Sequence, residues 1–384
     1  MPLLHPAPRP GAGLQPGDAT LQPLPDAARR TAIVQSHERS AALGLQANDT
    51  PELSPGPPSH LAEARARHRR LYEQAAPVME MLFEQIVFTR SIVVLADSGG
   101  TILHAVGDDG FLERAQQVAL APGVNWSEAT KGTNAIGTAL FNEAPTLVHS
   151  GEHYVRANHF LTCSAAPIFD HAGQLLGVLD VTGDRRSYHP HTLAMVGMSA
   201  RVIENQWFED RFRHGLRLHF HPRAERLGTV REGMIALGPD GSIVGANRSA
   251  LELLGLSSAR LRGLGLQAVL GCDVPALADH SRRRGDEPIE LHLGEGDGAG
   301  SPVFGRVVFN TPLVWPTSGW RAHPAPASTP VGKPSPPQAT LQGLEMQAIR
   351  EAVDHAGGNL SLAARQLGIG RTTLYRKLRG RAND

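Results

Sequence analysis

Apolar residues along the chain alternate between a helical and an extended spacing, and the switches between the two mark its elements. From 74 to 90, Val78, Met81, Leu82, Ile86 and Val87 recur at helical intervals. The run Ser91-Ile-Val-Val-Leu-Ala-Asp97 then reads as a buried strand, and the turn Asp97-Ser-Gly-Gly100 returns it through 101–106 as a hairpin. A second pair, 162–169 and 175–181, flanks Asp170-His-Ala-Gly173 with the same turn chemistry. With helical segments between and after these strands, residues 71–215 are predicted to form one α+β domain. A third hairpin, 232–238 and 242–246 around Pro239-Asp-Gly241, precedes a helix clustering Ala250, Leu251, Leu253 and Leu254. Strand candidates at 288–293 and 303–310 complete a smaller α+β unit, 221–314.

The remaining stretches read differently. Residues 1–70 form a loose, partly disordered arm, Pro-rich but for one short helix candidate at 27–45. Between 316 and 337 seven of 22 residues are proline, so 315–340 is a semi-extended linker. Beyond it, Leu344, Ala348, Ile349, Ala352 and Val353 form the apolar face of a helix stopped by Gly357-Gly358. Asn359 and Ser361 are cap candidates for a second helix, and Ala363, Ala364 and Leu367 form its inner face. Gly368 makes the turn into a third helix, 371–378, with Ile369, Leu374 and Leu378 directed inward. Small alanines that let two helices cross closely, and a glycine that sets their angle, give residues 341–384 a helix-turn-helix pattern.

Charge sharpens that reading. The whole chain balances 37 Lys and Arg against 37 Asp and Glu, yet 365–381 carries five Arg and one Lys with no acid. A neutral protein with one local +6 segment is predicted to bind double-stranded DNA there. No apolar run is long enough for a membrane span, and Cys163 and Cys272 are too far apart for a metal or redox motif, so a cytoplasmic protein with no cofactor and no membrane partner is expected.

The run Gly357-Gly-Asn-Leu-Ser-Leu-Ala-Ala-Arg-Gln-Leu-Gly-Ile-Gly-Arg-Thr-Thr-Leu-Tyr-Arg-Lys-Leu378 closely resembles the Fis-type helix-turn-helix of bacterial enhancer-binding regulators. The resemblance implies that Arg371, Thr373, Arg376 and Lys377 touch DNA, with Thr372 and Tyr375 beside phosphates. Gly370 departs from it, since relatives often carry a polar helix cap there. Upstream, Trp126-Ser-Glu-Ala-Thr-Lys-Gly-Thr-Asn-Ala-Ile-Gly-Thr-Ala-Leu140, with Gly151-Glu-His153 and Cys163-Ser-Ala-Ala-Pro167, resembles the GAF sensor of acetoin-catabolism-type regulators. Ser36-His-Glu-Arg-Ser40 is similar to the Ser-Trp-x-Arg-Ser near the start of those regulators, His37 replacing the Trp. Residues 232–256 resemble a PAS module.

The expected protein is therefore a transcriptional regulator with a GAF-like domain that senses an unidentified small molecule, a PAS-like domain and a Fis-type reading head. Such regulators usually carry an ATPase that remodels sigma-54 polymerase, but no Gly-x-x-x-x-Gly-Lys-Ser/Thr run occurs here, and Thr138 follows Gly132 and Gly137 where a phosphate loop needs Lys. Regulation by binding, or as a modulator that hetero-oligomerises with an ATPase-bearing paralogue, follows; RNA polymerase is a further candidate partner. Leu193, Val196, Ala200, Ile203 and Trp207 step by 3, 4, 3 and 4, a seam that serves either a homodimer or packing on the domain's own sheet. A redox enzyme using Cys163 is the rival class, and no spacing in the sequence supplies that thiol with a base or a resolving cysteine. His153 reads as a capped loop histidine, and His189, His191, His219 and His221 as loop residues, with no metal site.

Overall fold

The computed structural model describes residues 26–49, 58–86, 89–294 and 301–309. The linker and the helix-turn-helix residues, including Arg371, Thr372, Thr373, Tyr375, Arg376 and Lys377, lie outside the described residues.

Three helices open the described chain: α1 (Asp26–Ala42), α2 (Pro58–Arg67) and α3 (Arg69–Ile86). The first domain continues with β1 (Ser91–Asp97), β2 (Ile102–Gly107), α4 (Asp109–Gln116), α5 (Glu128–Lys131), α6 (Ala135–Asn142), β3 (Thr146–His149), β4 (Leu161–Phe169) and β5 (Leu175–Asp184). Its sheet is antiparallel throughout, in the order β2-β1-β5-β4-β3. Helix α7 (Thr192–Arg211) follows it.

The two predicted hairpins of this sheet form around one device. Asp97 Oδ1 accepts from the Gly99 and Thr101 N–H groups at 2.9 and 2.8 Å, and Asp170 Oδ1 from Ala172 and Gln174 at 2.8 Å each. Strand β1 reads as a continuous apolar run because both its faces are covered. Ile92, Val94, Ala165 and Val178 meet Phe111, Trp126 and Ile136 on one side; Val93, Leu95, Ile168 and Leu179 meet α3 and α7 on the other. In α3, Met79 is buried where the spacing favoured Met81, which is exposed.

The second domain contains β6 (Leu216–His221), β7 (Gly233–Leu237), β8 (Ile243–Ala246), four helices, and β9 (Ile289–His292) and β10 (Pro302–Phe309). Those helices are α8 (Arg248–Leu254), α9 (Ser258–Leu261), α10 (Leu266–Leu270) and α11 (Val274–Arg284). Its antiparallel order is β8-β7-β6-β10-β9. The central strand β6 falls where the apolar pattern drew a boundary, and it corrects the loop reading of two histidines: His219 and His221 are strand residues. Leu218, Phe220, Ile235, Leu237, Val303 and Val307 face the helices, while Met234 and Ala236 pack on Phe208 and Phe212 at the end of α7.

Two further expectations are revised. Helix α1 is not part of a loose arm, because Ile33 enters the core of the first domain and Ser36 and Ser40 are fully buried against it. The seam on α7 is not a free surface: Leu193, Val196, Ala200 and Ile203 are buried within the first domain, Ile203 and Val196 completely. Of its two alternatives, packing on the domain's own sheet is the one realised.

Candidate functional site

Three features of the first domain bring polar chemistry together: the seat of α1, the polar interior of the sheet, and the junction made by α7.

Helix α1 brings Ser36-His-Glu-Arg-Ser40 onto the glycine-containing motif. Glu128 is the hub. Its Oε1 accepts from Ser36 Oγ at 2.6 Å, Thr138 Oγ1 at 2.8 Å and Arg39 Nη2 at 2.8 Å, and its Oε2 from Arg39 Nε at 2.7 Å. Burial pushes this carboxyl's pKa up, but the bonds from Arg39, Ser36 and Thr138 and the Arg39 charge outweigh it and hold the group below the ordinary range. His37 places Nε2 2.8 Å from the Glu152 carbonyl and its ring edge-on to Tyr154. Arg29 adds a bidentate contact to Glu152 at 2.7 and 2.8 Å. The glycines of the motif serve close packing. Gly132 has φ +64°, and a side chain on Gly137 would begin 2.5 Å from the Glu128 nitrogen.

A polar chain crosses β5 and β4 on the face toward α4–α6. Thr182 donates to Asp180 Oδ2 at 2.6 Å; the other oxygen of this fully buried carboxyl has no partner, and burial pushes its pKa up to about 7. Cys163 pairs across with Thr182 in the ladder. Its sulfur lies 3.3 Å from His153 Nε2, while His153 Nδ1 donates to the Ser150 carbonyl at 3.0 Å, so the thiol is the donor to Nε2. This neighbour was invisible in the spacing. It does not activate the thiol: burial lowers the imidazole to about 4, and burial together with the Asp180 charge raises the thiol well above its ordinary value. The expected capped loop histidine is what the structure contains, and the Cys163 thiol is buried beside it. Asn158, also fully buried, leaves both side-chain polar atoms without partners. Among the described residues no cluster of His, Cys, Asp and Glu could hold a metal ion, and no helix is long and apolar enough to cross a membrane.

Helix α7 joins the two domains through a polar face. Buried Arg201 donates to Ser249 Oγ at 2.8 Å and to both oxygens of Glu252 at 3.0 and 2.7 Å. Glu204 accepts from the Phe169 N–H at 2.9 Å and from Arg248 at 3.0 Å, linking β4, α7 and α8. Asn247, which caps α8, donates to Asn205 Oδ1 at 2.9 Å.

Residues 340–379 match the family described as bacterial regulatory protein, Fis family. Residues 19–205, a little under half of the chain, match the MimR N-terminal domain.

The acetoin dehydrogenase operon transcriptional activator AcoR of Bacillus subtilis is 33% identical over 187 residues, 48% of this chain and 30% of that protein. The acetoin catabolism regulatory protein of Cupriavidus necator is 27% identical over 343 residues, 86% of this chain and 50% of that protein. The propane 2-monooxygenase operon transcriptional activator MimR of Mycolicibacterium smegmatis is 33% identical over 138 residues, 35% and 24% of the two chains. The chain thus spans a quarter to a half of the length of these relatives, which are named as regulators and not as enzymes. Among solved structures, the E. coli DhaR(N)-DhaL complex aligns with TM-score 0.45 at 16% identity, over 72% of this chain and 98% of that one.

Proposed function

We propose that the chain regulates transcription by binding specific double-stranded DNA through residues 341–384 and sensing a small molecule through its first α+β domain. The observation that carries the reading is the covalent union of a MimR-type N-terminal domain with a Fis-type helix-turn-helix. Arg371, Thr373, Arg376 and Lys377 contact DNA in this reading, with Thr372 and Tyr375 beside phosphates. The first domain is GAF-like and the second PAS-like, the latter starting at β6. Support for sensing comes from buried polar atoms that the protein itself leaves unmatched, Asp180 Oδ1 and the Asn158 amide, since native interiors rarely retain such groups without a role. With no Walker-type loop in its 384 residues, the chain acts by occupancy of its site and not by ATP-driven promoter opening. Pairing of two reading heads through the 341–356 helix supplies the homodimer, because the α7 seam is spent on the core.

A salt titration of DNA binding tests this. Affinity falls log-linearly and steeply with salt as the +6 segment displaces counterions. A flat response overturns the assignment.

A further inference from the structure

The helices that cover one face of the first sheet leave part of it bare. Helix α3 ends at Ile86 and α7 begins at Thr192, and together they cover the half of the face built from Val93, Leu95, Ala166, Ile168 and Leu179. At the other half the same face turns polar. There β4 presents Thr162 opposite Gly183 and Ser164 opposite Val181, and a half-open cavity of about 450 Å³ lies above them. That volume is in the range of small-molecule sites.

Its walls divide by chemistry. Ser164 is 3% exposed and Thr162 8%, and neither hydroxyl has a hydrogen-bond partner among the described residues, so both face the cavity unmatched. Ile86, Val181 and Met195 supply an apolar wall. Arg90 and His189 stand on the lining, and among the described residues Arg90 has no ion-pair partner and no Asp or Glu lines the cavity. The amino end of the 20-residue α7 reaches the same space through Thr192. Its N-cap, His191, makes no side-chain cap bond and no acid occupies the first turn, while the Thr192 N–H donates to the His189 carbonyl at 3.1 Å, so the helix presents its positive end with no countercharge of its own.

The geometry points to this cavity as the binding site for a small aliphatic carboxylate. Its carboxylate meets Arg90, the amino end of α7 and the Ser164 and Thr162 hydroxyls, and its short carbon chain lies along Ile86, Val181 and Met195. The site is on the face of the sheet opposite Asp180 and Cys163. This inference rests on the proposed sensing role and gives it a ligand class and a place.

Calorimetric titration of the full chain with acetate, butyrate and hexanoate, and with butyramide as the uncharged counterpart of butyrate, tests it. Butyrate binds at least tenfold tighter than butyramide. Arg90→Gln, at an exposed side chain, weakens butyrate at least tenfold without moving the unfolding temperature, and Ser164→Val, which fills the floor, abolishes binding. If Ser164→Val misfolds, Arg90→Gln still decides. Equal binding of butyrate and butyramide, butyrate affinity unchanged in Arg90→Gln, or no binding of any carboxylate overturns the proposal. Affinity for a DNA site selected from a random library is measured alongside. Carboxylate binding with the expected Arg90 dependence but no change in DNA affinity upholds the site and defeats the sensing role. A non-carboxylate that changes DNA affinity while no carboxylate binds defeats the site and leaves sensing intact.

Discussion

Ser36 and Glu128, ninety-two positions apart, meet at 2.6 Å in a buried hydrogen bond that fastens α1 to the first domain. The contact converts an N-terminal segment that looks expendable into part of the first domain. Arg39 completes it with a bidentate ion pair in which the Glu128 side chain is almost fully buried.

Arg39→Met is expected to lower stability by about 1.5–3 kcal/mol, the typical loss for hydrogen bonds to a charged group. Hydrogen exchange then accelerates across 26–42 before it does in the strands. Because the native Glu128 pKa lies below the ordinary range, its contribution is complete above that range and disappears as pH falls through the native value. Release of α1 is therefore promoted by acid in the wild type, and an exchange pattern indifferent to Arg39 and to acid would remove the clasp from the account.

Asp180 has the opposite sign. Its carboxyl rises from an ordinary 3.8 to about 7, so between those values the native state holds a proton that the unfolded chain has released, and stability falls as pH rises through that window. The rise bounds the effect at about 4 kcal/mol. Asp180→Asn keeps the shape and removes the titration. Its unfolding temperature should overtake that of the wild type near neutral pH and vary less between pH 4 and 7; parallel profiles would contradict the assignment.

The α7 seam makes a prediction about folding and not about assembly. Ala200→Asp places a carboxylate among fully buried neighbours and should cost several kcal/mol, within the range for burying an unpaired polar or charged group. Circular dichroism should show loss of structure at temperatures where the wild type is folded. A folded variant whose only defect in sedimentation is a smaller dimer fraction would restore the seam to an interface.

At the DNA-reading end, Arg371→Ala or Arg376→Ala is expected to cost about 1–3 kcal/mol and relax one operator position if the side chain reads a base edge. Lys377→Ala should weaken all sequences alike, as a lost phosphate contact does. Competition against a randomised library separates the two, and unchanged specificity in both Arg variants counts against base readout.

The sequence made its hairpins legible because each is written locally: an Asp whose carboxylate satisfies the turn, flanked by apolar runs. The third follows the rule, with Asp240 Oδ1 accepting from the Ser242 nitrogen at 3.1 Å and its hydroxyl at 2.6 Å. Strand β6 escaped because its alternation of Leu216, Leu218 and Phe220 with Arg217, His219 and His221 looks like polar loop unless a second layer is known to cover the charged face. His219 is held there by Glu232 at 2.9 Å, a partner on the next segment of chain. The contacts Ser36 to Glu128 and His153 to Cys163 were illegible for a related reason, since no local periodicity encodes a polar pairing between distant segments. Their only trace was the co-occurrence of two motifs whose polar residues had no evident local partners.

Four residues, 212–215, separate the last turn of α7 from β6, and β6 is the middle strand of its sheet. A load arriving along α7 is consequently applied to the second sheet at its midspan, where β7 on one side and β10 on the other must both follow. Had the helix fed an edge strand, the sheet would yield by local fraying and the displacement would be dissipated at the rim. Delivered at the centre, it meets hydrogen-bonded strands on both sides, with Arg201 and Glu204 bracing the helix against α8 before the turn.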